Sequence, residues 1–297
     1  MQNLTAPLLY HARLRPDAEA LVCADLRLTW AGLADRVLRL AGGLREVGVG
    51  PDTIVALMMK NSAAFVELLY AISHLGAVAL PLNFRLSTQE LDYIAGHAGV
   101  SLLLADDDFA ATVQGLTLPV TILDADARAD IAGLMGGACI EQPSPRSGGD
   151  LMRLMYTSGT TDRPKGVMHS YDNFRAKNLD MVRALQLTAV DRLAVVGPLY
   201  HVGAADLPGL AVHEMGGVLV ILRDFDARAV AEMIAAERIT GIWLAPVMTS
   251  AILALDLDSL PDMSSLRWCI GGGDRTPEGR IREFGRYFPN ACYLDAY

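Results

Sequence analysis

Between Tyr156 and Val167 the sequence sets Thr157, Ser158, Gly159, Thr160, Thr161, Asp162, Arg163, Pro164, Lys165 and Gly166, directly after the largely apolar run 151–155. A strand feeding such a loop presents backbone N–H groups and hydroxyls, donors that suit phosphate oxygens. Gly159 lets the backbone turn and approach a ligand closely, Pro164 stiffens the exit, and Lys165 adds a point charge for a polyphosphate. The same composition also suits an ordinary polar turn between two strands. The spacing is not that of the GxxxxGK[ST] loop, so the mechanics of that loop do not transfer.

A second group is Gly271-Gly272-Gly273-Asp274-Arg275. It follows a strand expected over 266–270 and precedes a helix expected from about Pro277. Ligands of open parallel sheets collect outside the carboxyl ends of strands, and consecutive glycines let a flat base lie against bare backbone. An ordinary flexible turn has the same composition. His201 stands in Pro198-Leu199-Tyr200-His201-Val202-Gly203; a single histidine is more often a structural hydrogen-bonder than a catalyst. His11, His74, His97, His169 and His213 match no motif and read as structural. Gly203-Ala204-Ala205 leaves room beside His201 for a bulky group. Trp243, in a strand entering a helix at Pro246, reads as core rather than pocket.

The elements that must position these residues alternate. Thr53–Met58, Leu102–Leu104, Leu193–Val196 and Val218–Leu222 read as buried strands, and amphipathic stretches lie between them. Asn61 and Ser62 cap a helix through Ile72. Ser87 to Glu90 has capping-box spacing, and Asp226 caps a helix carrying Val230, Met233 and Ile234. This is the pattern of an α/β fold with layered, largely parallel sheets flanked by helices. The Pro/Ser/Gly-rich stretch 142–150 reads as a linker, which places a first α/β subdomain at 1–145 and a second at 146–297.

With 297 residues, 52% apolar and 20% charged, the chain can bury a large core and is not a disordered protein. A formal charge of −9 argues against a general nucleic-acid binder, which needs a basic surface. Anionic ligands then need local positive patches. Four scattered cysteines with no CxxC pair indicate neither a zinc site nor a disulfide framework, and a reducing, cytoplasmic setting fits. The start lacks a signal-peptide pattern, and no apolar run reaches the roughly 18 residues of a membrane span.

Together these motifs resemble the adenylate-forming (AMP-binding) superfamily: acyl-CoA synthetases, luciferase-like enzymes and the adenylation domains of peptide synthetases. The stretch 156–167 is similar to its phosphate-binding signature, YTSGTTGxPKGV, and departs from it at Asp162, where glycine is usual. Two unit charges about 8 Å apart interact by roughly 2 kcal/mol at an effective dielectric of about 20, so Asp162 opposes a bound polyphosphate. Aspartate also tolerates the left-handed backbone a glycine supplies, and Arg163 can draw its charge outward, so tolerance is expected. Gly271 to Asp274 resembles the loop that contacts adenine. Pro198 to Gly203 resembles the stretch whose aromatic–histidine pair borders the acyl pocket, which makes His201 the candidate catalytic residue. Pro81-Leu82-Asn83-Phe84-Arg85-Leu86-Ser87 is similar to a stretch common in acyl-CoA synthetases. Tyr297 matches the first position of a motif whose tyrosine packs on adenine and whose glutamate holds magnesium.

The resemblance implies ATP-dependent conversion of a fatty or aromatic carboxylic acid to an acyl-adenylate, then a thioester with CoA. Thr157, Ser158, Gly159, Thr160, Thr161 and Lys165 would serve the phosphates, and Gly271, Gly272, Gly273, Asp274 and Tyr297 the adenine, with the two segments converging on one nucleotide. ATP, Mg2+ and CoA are the expected cofactors. This chain is expected to bring no metal ligands of its own, and self-association is left open. It looks like the N-terminal part of such an enzyme, without the rest of the barrel and the mobile C-terminal domain, and is expected to be inactive alone. Two alternatives stay open: a non-catalytic nucleotide- or acyl-binding or interaction fragment, and an acyl-AMP ligase that loads a carrier protein.

Overall fold

The computed structural model describes residues 3–124, 131, 133–157 and 163–296. The chain divides into two compact units, one of residues 1–17 and 29–176, the other of residues 18–28 and 177–297.

The first unit is built on a six-stranded sheet in the order β6-β5-β3-β4-β7-β8. Its strands are β3 (Ile54–Met58), β4 (Val78–Pro81), β5 (Val100–Asp106), β6 (Val120–Leu123), β7 (Leu151–Thr157) and β8 (Lys165–Ser170). All pairs are parallel except β7 with β8. Strand side chains alternate between faces, so Ala56 and Met58, Val78 and Leu80, and Leu103 and Ala105 share one face. There they meet Leu91 and Ile94 of helix α4 (Thr88–Ala98). The Ser87–Glu90 capping box is present, and Gly99 closes α4 in the left-handed conformation at φ 72°. Helices α1 (Thr5–Leu14), α2 (Trp30–Glu46) and α3 (Ala63–His74) pack on one another. Ser62 caps α3 as expected, and every residue of that helix is buried, Glu67 included. Arg36 pairs with that carboxylate, as a buried charge requires.

The second unit carries a seven-stranded sheet in the order β13-β12-β11-β9-β10-β1-β2. It comprises β1 (Glu19–Cys23), β2 (Leu26–Thr29), β9 (Arg192–Val195), β10 (Val218–Ile221), β11 (Gly241–Leu244), β12 (Trp268–Gly272) and β13 (Cys292–Ala296). The pairs from β13 through to β1 are parallel. The chain passes from the first unit to the second within α5 (Tyr171–Leu185). Helices α6 (Ala227–Ala236), α7 (Pro246–Leu253) and α8 (Glu278–Tyr287) cover a sheet face. Val230, Ala231, Ile234, Ile252, Leu253 and Phe284 pack there with Ala194, Val218, Val220, Ile242 and Leu244. Asp226 caps α6 by accepting from the Ala229 N–H.

The expected division at 145/146 falls inside the first unit. β7 adds to the first sheet beside β4, so the polar stretch before it is a connection within a unit. The residues 18–28 join the second sheet through β1 and β10. Strand pairing over long sequence distances outweighs local composition in setting the boundary.

Candidate active site

In the first unit the candidate phosphate loop is the mouth of the β7–β8 hairpin. β7 is anchored by buried Met152, Arg153, Leu154 and Met155, whereas Thr157 and Lys165 are exposed. The antiparallel register sets Thr157 opposite Lys165 and Tyr156 opposite Gly166. Directly opposed residues have Cβ atoms about 4.5–5.5 Å apart, so the Thr157 hydroxyl and the Lys165 ammonium can reach one anion. A Cβ on Gly166 would lie 3.2 Å from the Tyr156 ring, so glycine lets that ring lie across the partner strand. Ser158, Gly159, Thr160, Thr161 and Asp162 lie outside the described residues, as does Tyr297. Arg163 places its guanidinium carbon 5.5 Å from the centre of the Tyr93 ring.

In the second unit Gly271 and Gly272 end β12, and Gly273 turns the chain away at φ 90°, a backbone that side chains resist. β12 lies between β11 and β13, so the glycine bend leaves the carboxyl end of an interior parallel strand. A Cβ on Gly271 would lie 2.1 Å from the Tyr293 hydroxyl, which in turn bonds to Thr276 Oγ1 at 2.9 Å. Asp274 is exposed, and its Oδ1 accepts from the Arg275 N–H at 2.7 Å.

His201 is exposed at the start of a helical turn, Val202–Ala204, with its backbone N–H donating to Pro198 O at 3.0 Å. A kinked segment, Ala205–Gly209, follows, in which Leu207 and Pro208 leave helical backbone conformation. Lys177 Nζ donates to the Asp206 carbonyl at 2.8 Å, and Asn178, buried, bridges to Glu214 at 2.8 Å. α5 is thereby tied to the segment 206–214 that follows the His201 turn.

Trp243 is where the sequence reading falls short. It is buried, as expected of core, but it also joins the candidate segments. A Cβ on Gly203 would lie 2.4 Å from its ring, one on Gly197 2.9 Å, and one on Gly272 2.9 Å from its Nε1. One indole thus packs against both the turn after His201 and the glycine bend. The room expected beside Gly203 is filled by this ring. The only trace in the sequence is a tryptophan and three glycines, scattered over 197–272, and nothing in their spacing marks a contact.

A family model described as "AMP-binding enzyme" matches residues 8–297. Feruloyl-CoA synthase from Amycolatopsis sp is 36% identical over 267 residues, covering 90% of this chain and 53% of that protein. Long-chain-fatty-acid–CoA ligase FadD13 from Mycobacterium tuberculosis is 30% identical over 290 residues, covering 95% of this chain and 57% of that protein. The crystal structure of the N-terminal domain of FACL13 from Mycobacterium tuberculosis superposes with a TM-score of 0.90 at 27% identity, covering 100% of this chain and 76% of that one. The chain spans about half the length of the curated relatives it matches.

Proposed function

The chain belongs to the AMP-binding enzyme family, and from that premise we propose that it serves the ATP-dependent activation of a carboxylic acid. The substrate carboxylate attacks the α-phosphorus of ATP. The bond from that phosphorus to the bridging oxygen breaks, pyrophosphate leaves with the electron pair, and an acyl-adenylate remains. A thiol, with CoA as the proposed one, then displaces AMP to give the thioester. Carboxylate and polyphosphate repel each other, so the first step needs preorganised donors where charge collects. The observation that carries this reading is Thr157 standing opposite Lys165 at the hairpin mouth.

In this proposal Thr157, Ser158, Gly159, Thr160, Thr161 and Lys165 bind the β- and γ-phosphates. Gly271, Gly272, Gly273, Asp274 and Tyr297 seat the adenine, and His201 borders the reacting carboxylate. Magnesium is commonly held by one or two carboxylates together with substrate phosphates. The described residues contain no group of three His, Cys, Asp or Glu able to cage a metal; in this proposal the ion would arrive with ATP, and its charge would neutralise the phosphates. Among the described residues no helix is long and apolar enough to cross a membrane, and we place the reaction in the cytoplasm. The acid is aromatic or fatty, the two classes named by the relatives above.

Calorimetric titration of the chain with Mg·ATP, followed by pyrophosphate release across a panel of aryl and fatty acids, tests the reading. Saturable ATP binding supports it; a chain that takes no ATP overturns it. Binding without acid-dependent pyrophosphate release is the result expected of a chain inactive alone; robust release would show that it completes the first step by itself. A carrier-protein thiol accepted in place of CoA would reassign the second step.

A further inference from the structure

Tyr93 and His97 lie one helical turn apart on α4, where side chains meet. Their rings stack with centroids 5.5 Å apart. His97 Nδ1 is 2.6 Å from the Tyr156 hydroxyl, and the two rings meet edge to face at 5.9 Å. On the other side the Arg163 guanidinium lies over Tyr93. A continuous ladder, Arg163–Tyr93–His97–Tyr156, therefore joins both flanks of the hairpin mouth to one helix. Tyr156 directly precedes Thr157, and Arg163 stands two residues before Lys165. Burial pushes the Tyr156 phenol up, so it stays protonated at neutral pH and bonds to the imidazole in either ring tautomer.

The helix is a firm support. Its capping box and left-handed close fix both ends, and its inner face packs with Leu154 of β7 in one apolar cluster. The hairpin needs support, because β8 is the edge strand of its sheet and exposes Val167 and Met168. Edge strands with one neighbour open most readily.

We propose that Tyr93 and His97 are positioning residues that clamp the two flanks of the hairpin mouth, holding Thr157 opposite Lys165 in the geometry that receives phosphate. The inference rests on the phosphate reading of the hairpin. Neither residue touches the nucleotide; both act through Tyr156 and Arg163. Asparagine at 97 keeps an acceptor at the δ position, and phenylalanine at 93 keeps a ring face for Arg163, so conservative variants separate the clamp from mere bulk.

The test compares the wild-type chain with His97→Leu, His97→Asn, Tyr93→Leu and Tyr93→Phe by amide hydrogen exchange and by Mg·ATP titration. Exchange at 154–157 and 165–168 rises by about tenfold in His97→Leu, the size of one net hydrogen bond, and by about two- to fivefold in Tyr93→Leu, the size of an exposed cation–π contact, while exchange at 268–272 does not change. ATP affinity falls in the same two variants, and both readouts return towards wild type in His97→Asn and Tyr93→Phe. Unchanged exchange at the hairpin in the leucine variants, or no rescue by the conservative ones, overturns the clamp. A general rise in exchange, including 268–272, also overturns it by making the effect one of global stability. If the wild-type chain takes no ATP, the phosphate reading fails and the clamp is judged by exchange alone.

Discussion

A Cβ placed on Gly203 would sit 2.4 Å from Cζ2 of the Trp243 indole. Van der Waals contact between carbons lies at about 3.5–4.0 Å, so position 203 holds glycine because the ring occupies the space a side chain needs. The turn after His201 and the ring that braces it are one packed unit, formed from residues 40 positions apart.

Gly203→Ala is therefore expected to destabilise the chain by about 1–3 kcal/mol, the cost of overpacking a filled site. Trp243→Phe removes much of the ring that makes the clash and is expected to suppress that cost. The two changes are coupled through one contact, so the double variant is more stable than additivity predicts. Urea unfolding of the four proteins measures the coupling; additive free energies would show that the indole does not set the requirement for glycine.

Lys165→Ala is expected to weaken Mg·ATP binding by about 1.5–3 kcal/mol, the range for a charge-assisted hydrogen bond. Lys165 is exposed, so the wild-type affinity should fall as salt is raised and the variant's dependence on salt should be shallower. Titration calorimetry at two salt concentrations reads both effects. Equal affinities and equal salt slopes would remove Lys165 from the nucleotide site.

The elements were legible where local chemistry decides them. The Ser87–Glu90 box, the Ser62 and Asp226 caps and the apolar strands near 54–58 and 218–221 are local patterns, and all are present. The family was legible because the hairpin and glycine-bend motifs are long, contiguous strings. What stayed hidden depends on pairing across the chain. β1 joins β10 across almost two hundred positions, and composition near 142–150 carries no record of it. The clasp of Trp243 by Gly197, Gly203 and Gly272 is of the same kind, as is the reach of His97 to Tyr156.

His74 supplies a dependence on pH. It is fully buried, its Nδ1 lies 3.0 Å from Thr5 Oγ1, and its Nε2 donates to the Ile140 carbonyl at 2.8 Å. Burial holds its pKa below the ordinary value of 6.5. The unfolded chain then takes up the proton first as pH falls, so stability is complete above about pH 6.5 and declines as pH drops from there through the folded-state value. Urea midpoints measured from pH 7.5 to pH 5 should fall, and His74→Gln should flatten that part of the profile. An unchanged slope in the variant would assign the acid sensitivity to other groups.

Gly271 and Tyr293 give a test of the glycine bend that needs no ligand. A Cβ on Gly271 would lie 2.1 Å from the Tyr293 hydroxyl and 2.6 Å from the ring carbon that bears it. That hydroxyl bonds to Thr276, which is itself buried just past the bend. Gly271→Ala must push the ring aside or break this bond, so a loss of about 1–3 kcal/mol is expected. Tyr293→Phe alone strands the Thr276 hydroxyl and costs about 1 kcal/mol, yet it removes the nearest clashing atom. In the Tyr293→Phe background Gly271→Ala should therefore cost less than in the wild type, though not nothing, since the ring carbon remains close. Thermal unfolding of the three variants decides it, and an undiminished cost in the phenylalanine background would mean that the bend requires glycine for a reason other than this tyrosine.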